Sequence, residues 1–489
     1  MRALTMLLLL APALLPAHAA GLDGRWRGEA GTSDNHAVFG IEFRPAADGP
    51  TAAYFYQDNL DFCGLAIGTL EDRGDGEAVI PAAGLELTRS GETLRVAGLL
   101  DDPKDIVAFV RASALPPCAA PPAVPAGPGP LWQRRLGGAI YATAALRDGY
   151  AYVGNTDGVF HAIAMADGSI AWTHAAGRPI YGEALVTADA VFFVCDNGYL
   201  YRLDRATGKE RWRYDLGDER SSRIPPDPNV YDYDRQSPRP LLVDGVIYVG
   251  AGDGGFHAVR ADSGTRLWRT QWQGKIRTTA VAYADDVIFT TIDGADHGAV
   301  IAVKRTSGEL DWKYDAGAPV TTAPAIAGGL VVTGTRGEHT HLLGIDAATG
   351  ALKWSQYYWG SWVESEAVVA GDHAYIGSGD LYSVSDFDPV TGRNRWRTRV
   401  HGWVLARPAI TAEAVFAGVS IARRNRDTGP GHRPGLVRLD RDTGRVAWQW
   451  PMPEWPGAFL DGFVAAPAVS PGRILIGGVD GTLYAFPAD

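Results

Sequence analysis

Seven times after residue 165, a short apolar run enters a turn that ends in glycine, and a tryptophan follows that glycine four residues later. The pairs are Gly168/Trp172, Gly208/Trp212, Gly264/Trp268, Gly308/Trp312, Gly350/Trp354, Gly392/Trp396 and Gly444/Trp448. The fullest copies read DRATGKERW (204–212), DAATGALKW (346–354), DPVTGRNRW (388–396) and DRDTGRVAW (440–448). Recurrence at such a period means one supersecondary unit repeated, each unit burying its apolar face against its neighbours. Each copy has the parts of a four-stranded antiparallel blade: an inner strand, a second such as Ala151–Gly154, a third such as Tyr199–Leu203, and the outer strand that carries the tryptophan. In the turn, Asp or Ser accepts backbone N–H groups, and Gly supplies the positive φ of the reversal.

The blade count depends on closure. Trp132, in Leu131-Trp132-Gln133-Arg134, looks like a tryptophan strand with no blade before it, whereas the final segment Asp480–Phe486 lacks such a strand. Pairing the two predicts a ring of eight blades, docked by Trp132, Trp172, Trp212, Trp268, Trp312, Trp354, Trp396 and Trp448. Subtraction gives Trp spacings of 40, 40, 56, 44, 42, 42 and 52, so insertions are expected at 218–237 and 423–434. Closing the ring removes the open edge that would invite aggregation.

The repeat strings resemble the tryptophan-docking repeats shared by pyrroloquinoline quinone (PQQ) dehydrogenases and by the BamB propeller of the outer-membrane β-barrel assembly machinery. The likeness covers about residues 130–489. It implies the propeller fold and leaves activity open, because the motif is structural and the fold hosts unrelated functions.

The segment before the ring reads differently. Met1-Arg2, an apolar run from Leu4 to Leu15 and small residues at Ala17-His18-Ala19 form a secretory leader, expected to be removed after residue 19. Residues 20–114 lack the Trp repeat and alternate in runs such as Ala37–Phe43, Ala52–Tyr56 and Asp105–Val110, which predicts a small antiparallel barrel or sandwich. Its opening Gly24-Arg25-Trp26-Arg27-Gly28 resembles the GxWxG start of lipocalin-like barrels, so either a ligand-holding barrel or an adaptor module is implied. Residues 115–130, LPPCAAPPAVPAGPGP, read as a semi-rigid polyproline-like linker with neither helix nor sheet, leaving 131–489 for the propeller.

The same reading expects a periplasmic or secreted protein with neither a transmembrane segment nor a lipid anchor, the first cysteine being Cys63. Cys63 with Cys118 is the expected disulfide, and Cys195, within Val191–Cys195, the expected buried thiol. A net charge of −11 argues against a nucleic-acid backbone as partner.

For chemistry, the PQQ resemblance implies a quinone at the mouth of the ring, stacked on a Trp and held with Ca²⁺ by carboxylate and amide ligands. Residues at the entrances of the inner strands, expected around that mouth, include Glu183, Arg277, Trp362, Glu364, Trp403, Arg407, Asp461 and Phe463. Two departures stand against the dehydrogenase: there is no adjacent Cys-Cys pair, and the long insertions that build the cofactor pocket are missing. GxSxG, HExxH and Walker patterns are absent. His339 and His341 could begin a metal site but read as edge histidines, and the acidic DPNVYDYD (227–234) lacks EF-hand spacing and reads as an interaction loop.

Of fifteen Trp, eight dock blades and Trp26 sits in the front module; five of the remaining six, Trp359, Trp362, Trp403, Trp450 and Trp455, fall between blades five and eight. Their segments all join a Trp strand to the next inner strand, so they belong to one face, where they either anchor a protein partner or fill the inner strands. The leading expectation is a non-catalytic scaffold in the envelope needing no cofactor. The alternatives are a PQQ- and Ca²⁺-dependent dehydrogenase and a carbohydrate-binding propeller.

Overall fold

The computed structural model describes residues 22–488 apart from 33–34, 47–48, 58–61, 101–104, 117–123, 218–235, 295–296, 337–339, 359–361, 380, 423–432 and 454–459. The chain divides into two compact units, residues 1–119 and 120–489. Among the described residues the structure is all β, with one short 3₁₀ turn at Pro81–Ala83. No described helix is long and apolar enough to cross a membrane.

The first unit is a single nine-stranded antiparallel sheet, barrel-like and nearly closed. Its first strand, Gly24–Thr32, pairs on one side with Asn35–Ala46 and on the other with Ile106–Arg111. The GxWxG string is explained by the two-residue period of a strand: Trp26 is fully buried, its indole donates to the Leu22 carbonyl at 2.8 Å, and Gly28 is the next inward position. A β-carbon there would come within 2.9 Å of the Phe109 ring, so glycine is what lets that ring into the core. Phe39 meets both Phe55 and Phe109 in the interior. Buried Glu42 is surrounded by Arg25, Arg44 and Tyr56. Burial raises its pKa, but the three donors outweigh burial and hold it below the usual carboxylate range.

In the second unit, eight antiparallel sheets correspond to the expected blades. Blade one spans Ala145–Ala175, two Leu185–Asp215, three Leu241–Gln271, four Val281–Asp315, five Ala325–Tyr357, six Val368–Arg399 and seven Ala409–Pro451. Blade eight is the shared one: Trp132–Arg135 pairs with Thr482–Pro487, with Trp132 opposite Ala485. The two ends of the ring therefore share one blade, as the sequence predicts.

The docking contact has a constant geometry. Seven of the eight docking indoles lie on the turn glycine of the next blade, so a β-carbon on Gly208 would sit 2.4 Å from the Trp172 ring and one on Gly392 2.6 Å from Trp354. In six of these seven the indole Nε1 donates to the carbonyl three residues before that glycine, as Trp172 to Arg205 at 2.9 Å, Trp268 to Arg305 at 2.9 Å and Trp354 to Pro389 at 3.2 Å. The Asp of the turn acts as expected: Asp204 accepts from the Thr207 N–H at 3.0 Å and hydroxyl at 2.8 Å, and with Arg211 these bonds hold its pKa at about 2. The indoles are less enclosed than the repeat alone suggests. Apart from Trp312, which is 8% exposed, they are half-buried on outer strands, and the dry packing between blades comes from second and third strands such as Phe160 against Phe193 and Phe256 against Phe289.

A further departure concerns the linker. Blade eight brings no turn glycine to Trp448, and Gly127 fills the position: a β-carbon there would come within 2.3 Å of the indole. Ala126 pairs in parallel with Gln449, whose N–H donates to the Pro125 carbonyl at 3.0 Å while Gly127 N–H donates to the Gln449 carbonyl at 2.9 Å. The end of the Pro-rich stretch is thus a strand-like strap on the propeller, not a free linker. Pro125 takes part through its carbonyl alone, and proline, which has no N–H to donate, is tolerated at a sheet edge. Cys195 is a free, buried thiol whose pKa burial pushes up to about 11. Cys118, most of both long insertions and DPNVYDYD lie outside the described residues, as does the Cys63 side chain.

Candidate functional site

Seven of the eight inner strands are preceded by a short segment with a common pattern: an apolar residue, a variable one, a small one, a second variable one, then Ala or Pro; before blade three Gln236 takes the apolar place. The pattern reads IYATA at 140–144, IYGEA at 180–184, IRTTA at 276–280, VESEA at 363–367 and VLARP at 404–408. The apolar residue is an anchor. It packs against the glycine that ends a second strand, so closely that a β-carbon on Gly154 would be 2.3 Å from Ile180, and one on Gly477 2.2 Å from Ile140. With the anchor turned into the seam between blades, the alternating positions turn towards the axis. Hydroxyls at the small position help tie neighbouring blades: Ser365 donates to the Ala406 carbonyl at 3.1 Å, and Thr278 meets Thr290 of its own blade at 2.6 Å, which in turn donates to the Thr322 carbonyl of the next at 3.3 Å.

The variable positions of all eight blades line one axial cavity with an empty volume of about 760 Å³, open mouth included. Glu183, Arg277, Glu364 and Arg407, all expected at the mouth from the sequence, are brought together there. Tyr141, Tyr181, Arg239 and Glu366 join them, and sequence reading passed over these four. The five-residue pattern was the available sign, hidden because only its anchor and small positions repeat.

Charges in the cavity are linked. Arg407, on blade seven, reaches Glu183 of blade two at 2.5 Å and Glu366 of blade six at 3.2 Å. Glu183 also meets Arg239 of blade three at 3.7 Å, and Glu364 meets Arg336 at 3.7 Å. Burial by itself lowers the Arg407 pKa, but the two carboxylates outweigh it and raise the guanidinium above its ordinary range. Arg407 is a fixed cation spanning the axis. Arg277 is 2% exposed. Tyr141 and Tyr181 meet edge to face, with centroids 5.5 Å apart and planes at 63°.

The remaining expected residues lie elsewhere. Trp403, 8% exposed, belongs to an apolar cluster with Tyr382, Leu405 and Leu460. Asp461 is 1% exposed on Leu460–Gly462, a short strand added to blade seven beside Ser420–Ala422. Phe463 is an anchor residue, fully buried and near Gly418, and Trp450 packs on Phe486 at 5.0 Å. Trp403, Phe463 and Trp450 thus pack in apolar clusters rather than on an exposed aromatic face. Trp362 is half-buried with Arg336 5.2 Å above its ring. Trp359, Trp455 and His339 lie outside the described residues, and His341 packs against Tyr357 at 5.5 Å.

Quinone and calcium can be tested against these groups. A Ca²⁺ site needs six to eight oxygens free to converge, whereas Glu183, Glu364 and Glu366 are each held by a guanidinium. Among the described residues no group of three or more His, Cys, Asp or Glu could hold a metal ion. A planar quinone needs a flat face to lie on, and the two aromatic residues lining the cavity stand at 63° to each other. The residues described do not fit that pair of cofactors.

Comparison with known proteins places the second unit. The family model described as "Outer membrane protein assembly factor BamB" matches residues 125–264, 252–385 and 358–489. The polyvinylalcohol dehydrogenase of a Sphingopyxis species is 24% identical over 62% of this chain and 59% of that enzyme. The outer membrane protein assembly factor BamB of Yersinia pestis is 26% identical over 45% of this chain and 53% of that protein. The chain thus spans little more than half the length of these curated relatives. Among solved structures, the quinohemoprotein alcohol dehydrogenase of Comamonas testosteroni superposes with a TM-score of 0.54 at 15% identity, over 73% of this chain and 76% of that one, a likeness of fold.

Proposed function

Because the chain belongs to the PQQ-repeat propeller family whose model carries the BamB description, we propose that it is a non-catalytic scaffold of the cell envelope that binds a protein partner. Its relatives carry both an assembly-factor name and dehydrogenase names, so the family alone does not choose between them. The state of the axis favours the scaffold: Arg407 holds Glu183 and Glu366 where a cofactor's ligands would otherwise be needed. A group that must be displaced from two ion pairs before it can ligate is a poor start for a cofactor site. Leaders such as residues 1–19 direct chains to export, which agrees with an envelope location.

The binding surface of this reading is the face bearing the connections into the inner strands of blades five to eight. Within it Trp362 and Arg336 present a half-buried aromatic–guanidinium pair of the type that anchors interfaces. Photocrosslinking from positions flanking Trp362, in the native envelope, should capture a defined partner. Trp362→Ala with Arg336→Ala should remove that product while the protein still accumulates. An unchanged crosslink in the double variant, or alcohol oxidation on adding PQQ and Ca²⁺ to the purified protein, would overturn the scaffold reading.

A further inference from the structure

The axial cavity sorts its chemistry by blade. Leu405 and Val464, with the Tyr141–Tyr181 pair, make an apolar arc, and Arg239 and Glu366 lie on other arcs of the same wall. Contacts join four charges in one alternating chain, Arg239 to Glu183 to Arg407 to Glu366. The two inner members are taken up by each other, at 2.5 Å. The two ends retain capacity: Arg239 is 42% exposed with its ion pair stretched to 3.7 Å, and Glu366 is 34% exposed and meets Arg407 through a single oxygen.

A lone anion at Arg239 would add negative charge beside Glu183, and a lone cation at Glu366 would add positive charge beside Arg407. A ligand bearing both charges meets each end with its opposite and leaves the sum in the cavity unchanged. Its charges must be well separated, because Arg239 enters the cavity from blade three and Glu366 from blade six, three places apart on a ring of eight. One residue spans only about 3.3–3.6 Å, so a free amino acid is too short. We propose that the axial cavity binds a short peptide of about two to three residues with free termini, its carboxylate on Arg239, its ammonium on Glu366 and an apolar side chain against Leu405, Val464 and the tyrosine pair. The cavity opens among the connections that also bear the protein-binding face proposed above, but different residues carry the two readings: Trp362 and Arg336 there, Arg239, Glu366 and Leu405 here.

Calorimetric titration of the purified full chain with trileucine tests this. The free peptide should bind saturably, and N-acetylated, C-amidated trileucine at least about tenfold more weakly, the loss expected from one charge-assisted contact. Arg239→Gln and Glu366→Gln, both at partly exposed positions and checked for folding by circular dichroism and melting temperature, should each weaken the free peptide by about tenfold. Leu405→Ala should weaken it while keeping the preference for free termini. No saturable binding to the folded wild-type chain would overturn the proposal. So would equal binding of blocked and free peptide, binding of glucose or acetate in place of the peptide, or wild-type affinity in both charge variants.

Discussion

At the rim of the propeller one contact is built again and again: an indole on a glycine, with its N–H usually on a carbonyl three residues earlier in the next blade. At the axis no two blades contribute the same pair of variable residues, and Tyr141/Thr143, Arg277/Thr279, Glu364/Glu366 and Leu405/Arg407 succeed one another around a single cavity. The rim repeats because every seam must solve the same packing problem. The axis is free to vary because each blade only has to place an anchor residue correctly, and the residues beyond the anchor are not needed to close the ring. Even where the repeat runs out, at Trp448, the rim contact is restored with a glycine from outside the blades, Gly127, which shows how strongly that position is required.

The contrast can be broken most severely where rim-like regularity reaches the axis. Gly477→Val would put a side chain into space held by Ile140, whose Cγ2 lies 2.2 Å from where the new β-carbon would be, in a fully buried seam next to the closing blade. We expect a loss of about 3 kcal/mol or more, read by urea denaturation followed by Trp fluorescence. A loss below about 1 kcal/mol would mean that the anchor–glycine contact does not set the axial register.

Between rim and axis, His257 is 1% exposed, with Nδ1 3.0 Å from the Tyr214 hydroxyl and no partner for Nε2 among the described residues. Burial first, and then nearby Arg269, lower its pKa from 6.5 to about 4. Since the folded value lies below the unfolded one, the unfolded chain binds the extra proton. Stability from this group is therefore complete above pH 6.5 and is lost as pH falls towards 4. The loss should be about 2–3 kcal/mol, and the difference between wild type and His257→Gln should shrink across that window. A difference that stays flat from pH 7 to about 4 would show that His257 is not held neutral by the fold.

At the axis, Arg407→Met removes the partner of two carboxylates. The Arg407 side chain is 30% exposed, so water compensates in part, and a cost of about 2 kcal/mol is expected rather than the larger figure for a sealed pair. Adding Glu183→Gln and Glu366→Gln to this variant should restore much of it, and a triple variant as unstable as the single one would argue for lost packing instead of unpaired charge.

The smallest effect sharpens the rim itself. Trp172 donates to the Arg205 carbonyl at 2.9 Å, whereas the Trp212 Nε1 has no partner among the described residues. Trp172→Phe should cost about 1 kcal/mol more than Trp212→Phe, and equal costs would mean that the indole N–H contributes nothing to docking.

Legibility of the molecule in its sequence divides along the same line between rim and axis. The ring of eight, its closure through Trp132 and Ala485, and the work of the Asp and Gly in each turn could be read because each is a local requirement met many times over. Placement of Trp403, Phe463 and Trp450 could not. An aromatic residue after an outer strand has the same local pattern whether it ends on a face or in a seam, and only the neighbouring blade decides. Glu183, Arg277, Glu364 and Arg407 were reachable as residues at strand entrances, but their linkage to one another was not.

By itself, then, the order of residues determined the unit, its number and its closure, since turn chemistry and strand alternation act over a few neighbouring positions. Only the closed ring decided that Arg407 lies 2.5 Å from Glu183, more than two hundred residues away, and that Gly127 completes the rim at Trp448. Contacts across an axis depend on the summed placement of every blade between them, and no stretch of chain short enough to show a pattern contains that sum.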